Sequence, residues 1–166
     1  YYGITDGTEP EGDEDGGGPS DNGITFKSRT DFERGEVSYL LEEGVDTDGV
    51  TWAQDWEGKY PVFGERRTHR ITSALLRQDE DGQLTPEEEA SLVITAKSPG
   101  SQSETAYDDF GGTVQVSVVD IPDGYALQSI SIAGGSPESV GNNGTFTLDG
   151  DAEVTAIIAE EIKAVI

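Results

Sequence analysis

The clearest pattern along the chain runs from Gly111 to Glu160. Val114, Val116 and Val118 alternate with other residues, as do Ile130 and Ile132, Phe146 and Leu148, and the stretch from Val154 to Ile157. A period of two places such residues on one face of a strand. Pro122-Asp123-Gly124, Asn142-Asn143-Gly144 and Gly150-Asp151 separate the runs with turn-forming residues. The pattern predicts antiparallel strands over 113–119, 125–133, 145–148 and 152–159. Val114, Val116, Val118, Ile130, Ile132, Phe146, Leu148, Val154 and Ile157 are their expected core. A segment of this size lies near the lower limit for folding alone.

The first half is less regular. Ile24-Thr25-Phe26 reads as a short strand, and residues 28–44 read as a helix. Thr30 and Glu33 fit a capping box, Phe32, Val37, Leu40 and Leu41 form a partial apolar face, and Gly44 suits the position just past the end. Gly35 inside this helix costs about 1 kcal/mol relative to alanine, and a close packing contact would account for it. Ile71, Leu75 and Leu76 fit a helical turn or a strand. Thr85-Pro86-Glu87-Glu88 reads as a helix start, Leu92 to Ala96 as a buried strand, and Ser98 to Asp109 as a polar linker. The expected fold is mainly β with a minor helical part: an α+β module over 24–98 and a small antiparallel β module over 99–166.

Composition sharpens this picture at the N-terminus. Residues 1–23 hold seven Gly and seven acidic residues and no Lys or Arg, so they read as a flexible acidic linker unable to offset its ordering entropy. The whole chain carries 34 acidic against 10 basic residues, a net charge of -24. Such a field repels nucleic acid and anionic membranes and leaves cationic partners open. Salt-adapted proteins share this excess of carboxylates over lysine. No cysteine is present, which excludes disulfide and thiol chemistry. No apolar run reaches the length of a membrane span. The first residue is Tyr1, and the chain reads as a mature or trimmed one whose signal peptide is missing.

Candidate chemistry is sparse. With Gly82 at position 6 of a calcium loop, Asp79, Asp81, Gln83, Thr85 and Glu88 fall at positions 3, 5, 7, 9 and 12, but position 1 is Arg77. An acidic turn explains the same residues. Asp13-Glu14-Asp15 reads as solvated linker. Trp52, Trp56, Tyr60 and Phe63 would either stack on sugar rings or supply core bulk, and the core reading is preferred, with Trp56 as the surface residue. His69, the single histidine, lies in Glu65-Arg66-Arg67-Thr68-His69-Arg70 and reads as an exposed loop residue. No nucleophile elbow and no phosphate-binding glycine loop occurs. Asn143-Gly144 reads as a hairpin turn. The residues therefore nominate no catalytic, cofactor-binding or metal-ligating set.

Two resemblances add to this reading. The order of strands and turns over 111–160 resembles the divergent internalin B-repeat of secreted and surface proteins, whose modules serve as spacers or adhesive units. Gly35-Glu36-Val37-Ser38-Tyr39-Leu40-Leu41, with Trp52, Gln54, Asp55 and Tyr60-Pro61-Val62, resembles a segment of large surface proteins of gut Gram-positive bacteria. Ser38 and Glu42 stand where that segment usually has Ala and Asn. The resemblances imply a non-enzymatic, monomeric extracellular or cell-surface module for spacing or adhesion, with a protein or glycan ligand. A calcium-dependent or carbohydrate-binding module of a larger secreted protein is the alternative.

Overall fold

A computed structural model describes residues 2–5, 25–44, 51–133 and 144–161. The fold is mainly β. Strands β1 (Tyr2–Thr5) and β2 (Thr25–Ser28) pair in parallel. Two helices follow, α1 (Arg29–Glu33) and α2 (Glu36–Gly44), and then a hairpin of β3 (Thr51–Asp55) and β4 (Tyr60–Gly64). The expected single helix is broken because Gly35 adopts φ +87°, a left-handed conformation open to glycine at little cost. A Cβ there would also lie 2.9 Å from Trp56 Cη2. The close packing contact expected at Gly35 is therefore present. The capping box is formed by Ser28 and Asp31, not by Thr30 and Glu33: Asp31 N donates to Ser28 Oγ, and Ser28 N to Asp31 Oδ2.

The rest of the chain builds two sheets. They use β5 (Thr68–Gln78), β6 (Leu84–Pro86), β7 (Ser91–Thr95), β8 (Gly100–Ser101), β9 (Ala106–Asp109), β10 (Thr113–Val119), β11 (Tyr125–Ala133), β12 (Gly144–Thr147) and β13 (Ala152–Glu160). One sheet is all-antiparallel, in the order β12-β10-β7-β8. The other runs β11-β13-β5, with β6 and β9 both pairing to β5. Its central pair, β13 with β5, is parallel.

Inward residues of both sheets meet in one cluster, including Ile71, Leu75, Leu92, Ile94, Val114, Val116, Ile130, Phe146, Leu148, Val154 and Ile158. This corrects the expected division at 98/99. Residues 99–166 do not close a core of their own, because β7 pairs with β10 and β5 with β13 across that boundary. The strands expected over 113–159 are present within a residue at each end, but they divide between the two sheets. Ile157 is half-buried and Ile158 takes the core place, since alternation from Val154 leads through Ala156 to Ile158.

Three further expectations change. Thr85-Pro86 starts no helix; it lies in β6 at the sheet edge, where proline's missing N–H is tolerated. Ser98–Asp109 is not a linker but carries β8 and the fully buried β9. The expected linker 1–23 contains β1, and residues 6–24 lie outside the described residues, as do Asn142 and Asn143.

A shared core makes a specific prediction. Leu92→Ala should cost about 2–5 kcal/mol and weaken strands on both sides of residue 98 in one transition. Calorimetry with residue-resolved hydrogen exchange checks this. Retained protection over 113–160 after loss of 68–95 would show two separate units.

Candidate functional site

A cluster of polar side chains lies where the helical region meets the sheets. Along β5, Ile71 is buried in the core between the sheets, Thr68 is buried on the opposite face near Gly35, and His69 is half-buried at the rim. Helix α2 projects Tyr39, and the turn before β13 projects Asp151. Tyr39 Oη lies 2.6 Å from Asp151 Oδ2 and 2.8 Å from Glu43 Oε1. One phenol proton serves one carboxylate at a time. Asp151 Oδ1 accepts from Arg70 N at 3.1 Å and faces His69 Nδ1 at 3.3 Å. The Arg70 guanidinium sits 4.9 Å from the Tyr39 ring centroid, within cation–π range. These groups, with Glu42, Arg67 and Thr68, line a cleft of about 260 Å³. Arg67 pairs with Glu42. Thr68 Oγ1 is buried without a hydrogen-bond partner.

Electrostatics here favour fixed charges. Burial opposes ionisation of Asp151, but hydrogen bonds from Tyr39, the Arg70 amide and His69, with the Arg70 charge, outweigh it and hold the carboxyl below its usual range. Burial, followed by its hydrogen bonds to Asp151 and Glu43, pushes the Tyr39 phenol up. His69 is thus not the exposed loop residue expected. It lies in a strand with its side chain 15% exposed. The arrangement is a junction of hydrogen bonds between α2, β5 and the start of β13. Apart from Tyr39, its one hydroxyl is that of Thr68, and no hydrogen bond links Thr68 to His69.

A second cluster ties the β3–β4 turn to the sheets. Trp56 Nε1 donates to Asp109 Oδ1 at 3.0 Å, and Lys97 Nζ donates to Asp109 Oδ2 at 2.5 Å. Asp108 accepts from the amides of Lys97 and Asp109. Burial raises its pKa despite those bonds. Trp56 is therefore a half-buried tie and not the surface residue expected. Of the four aromatics expected in the core or stacking on sugar, Tyr60 and Phe63 are exposed, at 51% and 66%. Trp52 stacks on Phe63 with centroids 4.3 Å apart.

The calcium-loop residues form a turn. Asp79 Oδ1 accepts from the amides of Asp81 and Gln83, at 3.0 and 2.7 Å. Thr85 is in β6, and Glu88 is exposed beyond it. Arg77 is engaged elsewhere: its Nε donates to Glu87 Oε2 at 2.5 Å, and its guanidinium lies 4.5 Å from the Tyr125 centroid. Glu87 was read as part of a helix start. It is a buried carboxylate whose Oε1 accepts from the amides of Glu89 and Ala90. Burial opposes its ionisation, yet Arg77 and the two amides bring its pKa down to about 2. Among the described residues, no three His, Asp or Glu side chains converge as a metal site.

Sequence reasoning missed Asp108, Asp109, Glu87 and Asp151 as organising groups. In a chain with 34 acidic residues, a carboxylate carries no mark of burial. For Asp108-Asp109 the one local signal was the apolar pair Ala106-Tyr107 before them. Set against protein-family models, curated proteins and solved structures, the chain matches none.

Two outcomes follow for the junctions. Gly35→Ala should lower stability by at least about 1 kcal/mol, through left-handed strain and the approach to Trp56, and thermal melts of the two proteins check this. The depressed pKa of Glu87 means that its contribution is present above the unfolded carboxylate range and is lost as pH falls through about 4.5 toward 2. Denaturant midpoints measured down that range should fall less steeply for Glu87→Gln than for wild type. Parallel curves would remove Glu87 from the acid transition.

Proposed function

We propose that this chain is a non-enzymatic extracellular module of a bacterial surface protein, used for spacing or adhesion. The observation that carries the reading is the use of its carboxylates at the joints between elements. Asp151, Asp109 and Glu87 each accept from cations, amides or ring donors of neighbouring elements, so they join parts of the structure to one another. Two sheets around one core, with such ties at their ends, suit a spacer. The resemblances over 35–62 and 111–160 support the location. Net charge of -24 disfavours nucleic acid as a partner and favours a monomer. The ligand class proposed is a protein or a glycan.

Carbohydrate binding, alone or with calcium, is the second reading. It draws support from the β3–β4 hairpin, where exposed Phe63 packs against Trp52 and Tyr60 is exposed nearer the turn. Aromatic faces stack well on apolar sugar faces.

Protease shaving of intact bacteria that carry the gene tests the location; release of peptides from this chain is expected, and their confinement to the lysate would end the surface reading. A glycan array compares the two adhesive readings. If the hairpin binds sugar, Phe63→Ala should abolish retention while changing stability by less than about 0.5 kcal/mol, as at other exposed positions. Sugar binding that survives this change would place the ligand elsewhere. Sedimentation should show a monomer.

A further inference from the structure

We infer that the parallel β5–β13 ladder is a mechanical clamp, loaded in shear when the chain is pulled from its two ends. The inference rests on the spacer reading for its use, but its geometry stands on topology alone. The chain enters β5 at Thr68 and leaves β13 at Glu160. In a parallel pair both strands point the same way, so the entry to one and the exit from the other lie at opposite ends of the ladder. Tension on flanking chain then slides β5 and β13 past each other. It does not open them from one end.

Eight residue pairs, from Ile71↔Ala152 to Gln78↔Ala159, share that load. In shear they resist together, whereas peeling would break them in turn. β13 is gripped on its other side as well, by eight pairs to β11 from Tyr125↔Glu160 to Ala133↔Glu153. Extracting β13 must therefore disrupt two ladders and withdraw Val154, Ala156 and Ile158, all fully buried, from the core. The small helices and the β3–β4 hairpin lie outside this grip. They precede Thr68 in the chain and are held to the sheets by side-chain contacts such as Arg34 Nη2 to Thr105 O and Tyr39 to Asp151, with no strand ladder joining them to β5 or β13 among the described residues. Under tension they yield first, at lower force, and the clamp carries the load that remains.

Single-molecule pulling on the full chain tests this, since forced rupture reports the unfolding barrier along the pulled direction. The chain has no cysteine, so handle positions can be chosen freely. Handles at the two ends load the ladder in shear. Handles at Arg66→Cys and Asp149→Cys sit at one end of it and peel it open from Ile71↔Ala152. Severalfold higher rupture force for the end-to-end geometry is expected; equal or lower force overturns the clamp. A second comparison uses Val154→Ala in the clamp and Val116→Ala in β10, both fully buried in the same core. Both should lower the melting temperature, and only Val154→Ala should lower the end-to-end force. An equal drop in force for both variants also overturns the clamp. Failure of the surface reading would show in the shaving experiment and leave these force ratios unchanged.

Discussion

The architecture depends on the pairing of β5 with β13. These strands are far apart in the chain, and everything between them is used to build the second sheet and return. Their inward faces match large residues to small ones across the ladder: Ile71 opposes Ala152, Ser73 opposes Val154, and Leu75 opposes Ala156. A slip of two residues would set Ile71 against Val154 and Ser73 against Ala156, crowding one layer and emptying the next. Close-packed interiors penalise both, so the register is specified by volume as well as by alternation. The cost is kinetic. A parallel pair closed over so long a loop pays its entropy before its contacts form, which makes slow folding the expectation.

Buried charge is managed around that frame by a few cations. The chain has 10 basic residues for 34 acidic ones, and two of those basic groups meet carboxylates that the fold hides, Arg77 with Glu87 and Lys97 with Asp109, while Arg70 meets the half-exposed Asp151. Leaving a buried carboxylate unpaired costs several kcal/mol, whereas an exposed one costs little. The excess negative charge is therefore tolerable only on the outside. That division fits the exposed turn at Asp79-Glu80-Asp81, and in Glu87-Glu88-Glu89 only Glu87 is buried, where Arg77 and two backbone amides meet it.

The sequence made the strong alternations legible. Strands over 113–119 and 125–133 are where the period of two puts them, and the turn at Pro122-Asp123-Gly124 lies between them. It did not reveal which sheet each strand joins, because partner choice for β13 is set by volumes on β5, over 70 positions away. The helix start expected at Thr85-Pro86 failed for a related reason: an N-cap followed by proline also suits an edge strand, and pairing with Leu76 and Arg77 decided the matter. Gly35 was readable as a close contact but not as a helix break, since φ depends on the approach of Trp56. The Tyr39–Asp151 junction joins residues 112 positions apart and left no local trace in an acid-rich chain.

The polar junction and the ladder are not independent. Asp151 immediately precedes Ala152, the first β13 residue paired with β5, and its Oδ1 accepts from the amide of Arg70, the residue before Ile71. This bond closes the end of the ladder at which the two strands begin. Tyr39 then reaches Asp151 from α2, so the helix is held to a carboxylate whose place the ladder has already fixed. Trp56 and Arg34 likewise reach Asp109 and Thr105, at β9, which pairs with the same stretch of β5. The order of dependence runs one way: the sheets can close without the helices, but the helices have nothing to dock on until β5 has both neighbours. Specificity for a single arrangement thus comes from core volumes first, and hydrogen-bonded charge fixes the attached elements afterwards.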